Sequence, residues 1–223
     1  MKAILFDLDG TLLDRRASLR RFIKEQRERL GNELKETDEL SYEEDFLTWD
    51  NNGYVTKDIV YQKLIAKYNI KSFTATELLQ DYEEFFYTSC IPFANLISTL
   101  AELQKQSIKL GIVTNGKKDF QQKNLEALGI ATYFESVVIS EAVGVKKPDP
   151  AIFLHAAEEL GVLPKECLFV GDHPEIDFSG AEAVGMTGVW RVNGMWKPPK
   201  TTHEITNLTQ LLLIVDEINN NSH

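Results

Sequence analysis

The sequence holds two cysteines in 223 residues, Cys90 and Cys167. So few exclude a disulfide framework, and their spacing is not of a metal-binding type, which makes a reducing cytoplasm the simplest setting. Long hydrophobic runs are also missing: the longest, Leu211 to Val215, is far short of a membrane span. At the N-terminus, Met1-Lys2-Ala3-Ile4-Leu5-Phe6-Asp7 meets an acidic residue before it reaches signal-peptide length. Basic residues are in deficit, 24 Lys plus Arg against 34 Asp plus Glu, for a net charge of −10. That balance disfavours nucleic-acid polymers and anionic membranes as partners. Hydrophobic residues at 43% and charged residues at 26% exclude wholesale disorder, and no internal repeat is present. The surplus of acid needs a use, and metal binding is one.

Five short apolar runs punctuate the chain: Ala3-Ile4-Leu5-Phe6, Leu110-Gly111-Ile112-Val113, Val137-Val138-Ile139, Leu168-Phe169-Val170 and Gly188-Val189-Trp190. They do not alternate with polar residues, so they read as strands of a parallel sheet buried on both faces. Helical segments lie between them. Phe120 to Leu128 stops at Gly129, and Ala151 to Leu160 starts after Pro150 and stops at Gly161. Residues 1–14 and 91–223 therefore form one doubly wound α/β layer. The polar tail Asn219 to His223 is expected to fray.

Residues 15–90 have a different texture. Leu19, Phe22, Ile23, Leu30 and Leu34 make a helical stripe with Gln26 as a gap, opposite Arg15, Arg16 and Arg27. Ser41-x-x-Glu44 and Thr74-x-x-Glu77 have capping-box form, and Thr56 precedes a further helix start. With no strand among them, these residues read as an all-α insertion. It carries 12 basic and 15 acidic side chains, net −3, which leaves net −7 on the α/β part.

Chemistry-bearing residues follow four of the strands. Asp7-Leu8-Asp9-Gly10-Thr11 comes after the first, where open parallel sheets bind ligands. Asp7 and Asp9, two apart, leave an extended strand on one side, and carboxylates that close need a cation or a shared proton. Thr114-Asn115-Gly116 ends the second run and can offer hydrogen bonds to an anion's oxygens beside a helix N-terminus. After the third run Lys146-Lys147-Pro148 brings positive charge. Gly171-Asp172-His173-Pro174-Glu175-Ile176-Asp177 ends the fourth with two more carboxylates, suited to a hard cation such as Mg²⁺.

Asp-x-Asp-Gly-Thr, Thr-Asn-Gly, Lys-Pro and Gly-Asp-x4-Asp, in that order at four strand ends, resemble the haloacid dehalogenase-like superfamily. The likeness is to its phosphatase branch, with a helical cap inserted after the first motif, and it covers nearly the whole chain. It implies a Rossmann-like core of five parallel strands (1–14 and 91–223), a helical cap domain (15–90) that sets specificity, and a Mg²⁺-dependent aspartyl-phosphate mechanism. Position by position, Asp7 resembles the nucleophile and Asp9 the general acid/base, whose carbonyl also ligates the metal. Thr114 resembles the phosphate-binding hydroxyl, supported by Asn115 and Gly116. Lys147 rather than Lys146 matches the lysine that precedes the proline. Asp172 resembles a metal ligand, and Asp177 a ligand or a carboxylate holding metal-bound water. His173 stands where the family often has a small hydroxyl residue, and is read as structural or peripheral.

The resemblance implies that a small-molecule phosphate monoester, of nucleotide, sugar-phosphate or phosphoglycolate type, is attacked in line by Asp7 while Lys147 and Thr114 hold its oxygens. Asp9 protonates the leaving group and then activates water. A phosphosugar mutase of the phosphoglucomutase type shares the motifs and differs by keeping the phosphorylated intermediate for transfer. A phospho-accepting receiver uses similar groups, but at a later strand and without a cap. A dehalogenase would not need Asp9. The basic run from Arg15 to Arg29 reads as a solvated helix face balanced by Glu25 and Glu28. Phe46, Trp49 and Tyr54 read as packing residues, and Trp190 and Trp196 carry no motif.

Overall fold

The computed structural model describes residues 1–201 and 203–220. The chain divides into two compact units, Met1–Asp14 with the chain from Pro92 onward, and Arg15–Ile91. Ile91, expected at the start of the α/β part, belongs to the helical unit, where its N–H donates to Ser18 Oγ at 2.8 Å.

The helical unit holds α1 (Arg15–Leu30), the short α2 (Asn32–Glu36), α3 (Glu39–Asp50), α4 (Lys57–Tyr68) and α5 (Ala75–Phe85). Thr74 and Glu77 close the capping box that starts α5: Thr74 Oγ1 accepts from the Glu77 N–H, and Glu77 Oε2 accepts from the Thr74 N–H. The start of α3 differs from expectation. Asp38, not Ser41, is its cap, accepting from the Ser41 N–H at 2.8 Å. An ionised carboxylate three residues upstream takes the orphan amide more strongly than a hydroxyl.

Two readings of α1 need correction. Gln26, the gap in the apolar stripe, is 1% exposed and faces the unit's interior. Its Nε2 donates to Asp81 Oδ2 at 2.8 Å and to the Leu78 carbonyl at 3.2 Å, while its Oε1 accepts from the Tyr61 hydroxyl at 3.1 Å. The basic run is a solvated face over most of its length, with Arg16, Arg20, Arg21, Lys24 and Arg29 exposed and Arg21 paired with Glu25, but Arg27 is buried with one nitrogen on the Thr37 carbonyl and Arg15 pairs with buried Asp50. Among the aromatics, Phe46 packs edge-on against Tyr61 with centroids 5.5 Å apart, but Tyr54 is half exposed and Trp49 carries Lys63 and Lys67 over its ring. Packing thus accounts fully for Phe46 alone.

The α/β unit is built on a sheet of six parallel strands in the order β3-β2-β1-β4-β5-β6. They are β1 (Ala3–Phe6), β2 (Lys109–Thr114), β3 (Ser136–Ile139), β4 (Cys167–Gly171), β5 (Thr187–Arg191) and β6 (Glu204–Ile205). The sixth strand exceeds the expected five. It has two residues and one buried side chain, so no apolar run announces it. Helices α6 (Leu96–Lys105), α7 (Lys118–Ala127), the one-turn α8 (Ser140–Val143), α9 (Pro150–Glu159), the short α10 (Gly180–Glu182) and α11 (Gln210–Asn220) fill the connections. Asn219 and Asn220, expected to fray, close α11, and Asn219 Oδ1 accepts from the N-terminal ammonium at 2.8 Å. The rest of that tail, Asn221 to His223, lies outside the described residues.

β1 is buried at every position and lies in the middle of the sheet, paired with β2 on one side and β4 on the other. Leu5, Val113, Phe153, Ala156 and Phe169 belong to one apolar cluster beneath α9, with the two phenyl rings edge to face at 5.0 Å. This core fixes the strand ends, and the strand ends carry the site.

Candidate active site

Each of the four motifs falls at the carboxyl end of a strand, and the four strands are neighbours, β3-β2-β1-β4. Asp7 follows β1, Thr114 closes β2, Lys147 lies beyond β3 and α8, and Asp172 and Asp177 follow β4. Lys147 is 3% exposed, and its Nζ donates to Asp7 Oδ1 and to Asp177 Oδ1, both at 2.7 Å. Lys146 is exposed. Thr11 Oγ1 donates to Asp7 Oδ2 at 3.2 Å.

Asp7, Asp172 and Asp177 each present an oxygen within 4.8 Å of the others. One ammonium among three carboxylates leaves the cluster two charges short of neutral. Burial, first, and then the charges of Asp177 and Asp172 push the Asp7 carboxyl well above the ordinary carboxylate range, against the pull of Lys147. Burial and the Asp177 charge push Asp172 up to about 7. For Lys147, burial works against the charge, but Asp177 and Asp7 outweigh it and hold the ammonium above its usual range. Hard oxygen donors, close-set and under-neutralised, fit a divalent cation such as Mg²⁺.

The Asp9 carboxylate is not part of this cluster. Its Oδ2 accepts from Gln121 Nε2 at 2.6 Å. Thr114 accepts from the same nitrogen at 2.8 Å. Asn115 holds the backbone of Lys147, accepting from its N–H at 2.9 Å and donating to its carbonyl at 3.1 Å. Gly116 donates its N–H to Ser140 Oγ at 2.9 Å. Gly10 is required as glycine twice over: its φ is +88°, and a Cβ there would lie 2.3 Å from Asp172 Oδ2.

Several partners escape sequence reasoning. Gln121 sits on the buried face of α7 with Asn124, three residues on, and polar side chains at core spacing were the available signal. Asn193 Nδ2 donates to Asp172 Oδ2 at 2.8 Å and Trp190 Nε1 to the Asp172 carbonyl at 3.2 Å, so Trp190 does have a place at the site. Arg191 donates to the Gly10 carbonyl at 3.0 Å. No motif marks these three. His173 Nδ1 accepts from the N–H groups of Glu175 and Ile176, capping the turn Pro174–Ser179, and its ring lies tilted against that of Trp196 with centroids 4.4 Å apart. Burial lowers its pKa, which favours the neutral ring that such acceptance needs. Asp177 lies inside that turn, and its Oδ2 accepts from the His173 N–H.

A parallel sheet with paired carboxylates at its centre, a buried lysine across from them and a helical insertion directly after the first strand defines a class of α/β hydrolase. The chain belongs to the haloacid dehalogenase-like hydrolases, whose family model matches residues 1–185. It is 35% identical over 200 residues to a glyceraldehyde 3-phosphate phosphatase of Methanopyrus kandleri, covering 85% of this chain and 83% of that one. A glyceraldehyde 3-phosphate phosphatase of Pyrococcus furiosus is 31% identical over 237 residues, with 98% and 95% covered. The crystal structure of a phosphatase of the same family from Thermococcus onnurineus superposes with a TM-score of 0.65 at 31% identity, covering 96% of this chain and 98% of that one.

Proposed function

We propose that this chain is a Mg²⁺-dependent phosphatase of small phosphate monoesters that works through an aspartyl-phosphate on Asp7. The observation that carries the reading is Lys147, buried and 2.7 Å from both Asp7 and Asp177 at adjoining strand ends. A buried lysine between two buried carboxylates offsets their charge in the resting site and is well placed to neutralise an incoming phosphoryl group. The names of the two archaeal relatives support a short-chain phosphate as substrate.

In this reading Asp7 attacks phosphorus in line with the ester oxygen. Lys147 and the Thr114 hydroxyl hold the non-bridging oxygens, and the Thr114 and Asn115 loop fixes both. Asp7, Asp172 and the Asp9 carbonyl, with Asp177 behind them, would hold Mg²⁺, which when bound would supply positive charge to offset the negative charge on the phosphoryl oxygens. Asp9 gives its proton to the leaving oxygen, and then takes one from the water that releases phosphate from Asp7. A content of two cysteines in 223 residues suits a cytoplasmic setting. No described helix is long and apolar enough to cross a membrane.

The test is a panel of phosphate esters, including glyceraldehyde 3-phosphate, 2-phosphoglycolate, hexose phosphates and nucleoside monophosphates, assayed for phosphate release with Mg²⁺ and with EDTA. Release that needs Mg²⁺ and disappears in a folded Asp7→Asn protein supports the reading. Undiminished turnover by Asp7→Asn overturns it, and sugar-phosphate isomers formed without phosphate release point to a mutase instead.

A further inference from the structure

Gln121 lies outside all four motifs, yet its one amide nitrogen touches two of them. Nε2 carries two hydrogens, and its shortest contacts are Asp9 Oδ2 at 2.6 Å and Thr114 Oγ1 at 2.8 Å, with the Asn115 carbonyl further off at 3.2 Å. The side chain is 2% exposed. Its orientation is set from behind: Asn124 Nδ2, fully buried one turn along α7, donates to Gln121 Oε1 at 3.0 Å, which obliges the nitrogen to face Asp9. Gly116 makes room for this arrangement, since a Cβ there would lie 3.1 Å from Gln121 Cγ.

Two buried amides on the inner face of a helix are costly unless every polar atom finds a partner. Here the partners of Gln121 are a carboxylate and a hydroxyl from two different strand ends. On the phosphatase reading above, these are the acid/base and the phosphate-binding hydroxyl. We infer that Gln121 is a positioning residue that locks the two into one frame. By donating to Asp9 Oδ2 it leaves Oδ1 as the oxygen available for proton transfer. By donating to Thr114 Oγ1 it occupies a lone pair and turns the hydroxyl hydrogen away from itself, where its long contact with the Asn115 carbonyl, at 3.5 Å, can give way to a bound anion. Gln121 touches no reacting atom, and its effect passes through Asp9 and Thr114.

Leaving-group dependence separates this role from a general structural one. A p-nitrophenolate departs with little protonation, whereas phenolate leans on the acid, so a misplaced Asp9 harms phenyl phosphate more. The experiment measures kcat and KM of wild type and Gln121→Met, both loaded with Mg²⁺, on phenyl phosphate and p-nitrophenyl phosphate, with melting temperature as the check on folding. The result is read in kcat/KM, which ends at transfer to Asp7 and leaves out the later step in which Asp9 activates water: the expected fall is about tenfold to a hundredfold on phenyl phosphate and about threefold or less on p-nitrophenyl phosphate. Equal falls on the two esters overturn the positioning role and leave the phosphatase reading intact. A wild-type enzyme inactive on both esters overturns that reading, and the role of Gln121 with it. If Gln121→Met fails to fold, Gln121→Glu keeps the shape and donates only when protonated. Its preference for p-nitrophenyl over phenyl phosphate, relative to wild type, then widens as pH rises, and a ratio that does not change with pH overturns the inference.

Discussion

Asn115 grips Lys147 by both of its backbone groups, with Oδ1 on the N–H at 2.9 Å and Nδ2 on the carbonyl at 3.1 Å. The loop after β2 thereby decides where the lysine begins, and the carboxylates of Asp7 and Asp177 decide where it ends.

Asn115→Ala removes both of these hydrogen bonds and leaves the Lys147 backbone groups without them. The expected loss is about 1–3 kcal/mol of unfolding free energy, together with a fall in turnover of about tenfold or more. Urea denaturation and steady-state kinetics on the same preparation check the two halves. A stable but slow variant would show that the bonds serve position more than folding.

Lys147→Met keeps most of the volume and removes the charge. Asp7 and Asp177 then face each other in a buried site without their cation, and about 3–5 kcal/mol of stability is expected to go in Mg²⁺-free buffer. Denaturation in EDTA measures it. A change of less than about 1 kcal/mol would mean that the carboxylates take up protons at no cost, and that the lysine is not what neutralises them.

The raised carboxyl groups set a pH dependence. Asp172, pushed up to about 7, and Asp7, raised well above its ordinary range, contribute stability that is complete below the unfolded carboxylate pKa and is lost as pH rises through the folded one. The metal-free protein is therefore destabilised by this cluster between about pH 4 and about pH 7. Mg²⁺ needs the ionised form, so its stabilising effect runs the other way. The rise in melting temperature on adding Mg²⁺ to EDTA-treated protein should be larger at about pH 8 than at about pH 6. A rise independent of pH would place the cation elsewhere.

Gln26→Leu tests the helical unit alone. The substitution restores the apolar stripe of α1 but leaves the Tyr61 hydroxyl without its acceptor and strips one donor from Asp81, which keeps Arg29. A loss of about 1–3 kcal/mol is expected by urea denaturation, despite the gain in hydrophobicity. A stabilised variant would show that the network is replaceable by packing.

The strand ends were legible because parallel strands buried on both faces write themselves as continuous apolar runs, and ligand chemistry follows the carboxyl end of each. Lys147 could be told from Lys146 by its place before Pro148, and the capping box at Thr74 by its own spacing. What stayed hidden lacks a run or a repeat. β6 is two residues long at the edge of the sheet. Gln26 and Arg27 sit at inner positions of α1 as polar residues, and periodicity alone assigns such residues to solvent or to a gap. Arg191 from the last residue of β5 and Asn193 from just beyond it reach Gly10 and Asp172, contacts that only the folded sheet creates.

The pairing of β1 with β4 has a consequence for the chain while it is being made. The first strand, whose end carries Asp7, emerges from the ribosome early, yet Lys147 lies 140 residues further along and the β4 carboxylates later still. Lys147, Asp172 and Asp177 all lie outside the N-terminal half, and closing so long a loop comes late and slowly. A nascent chain stalled or cut before β4 holds Asp7 and Lys147 but lacks Asp172 and Asp177, and with Asp177 the second anchor of the lysine. Such a fragment should be inert toward phosphate esters, and translation itself withholds the activity until the sheet is whole.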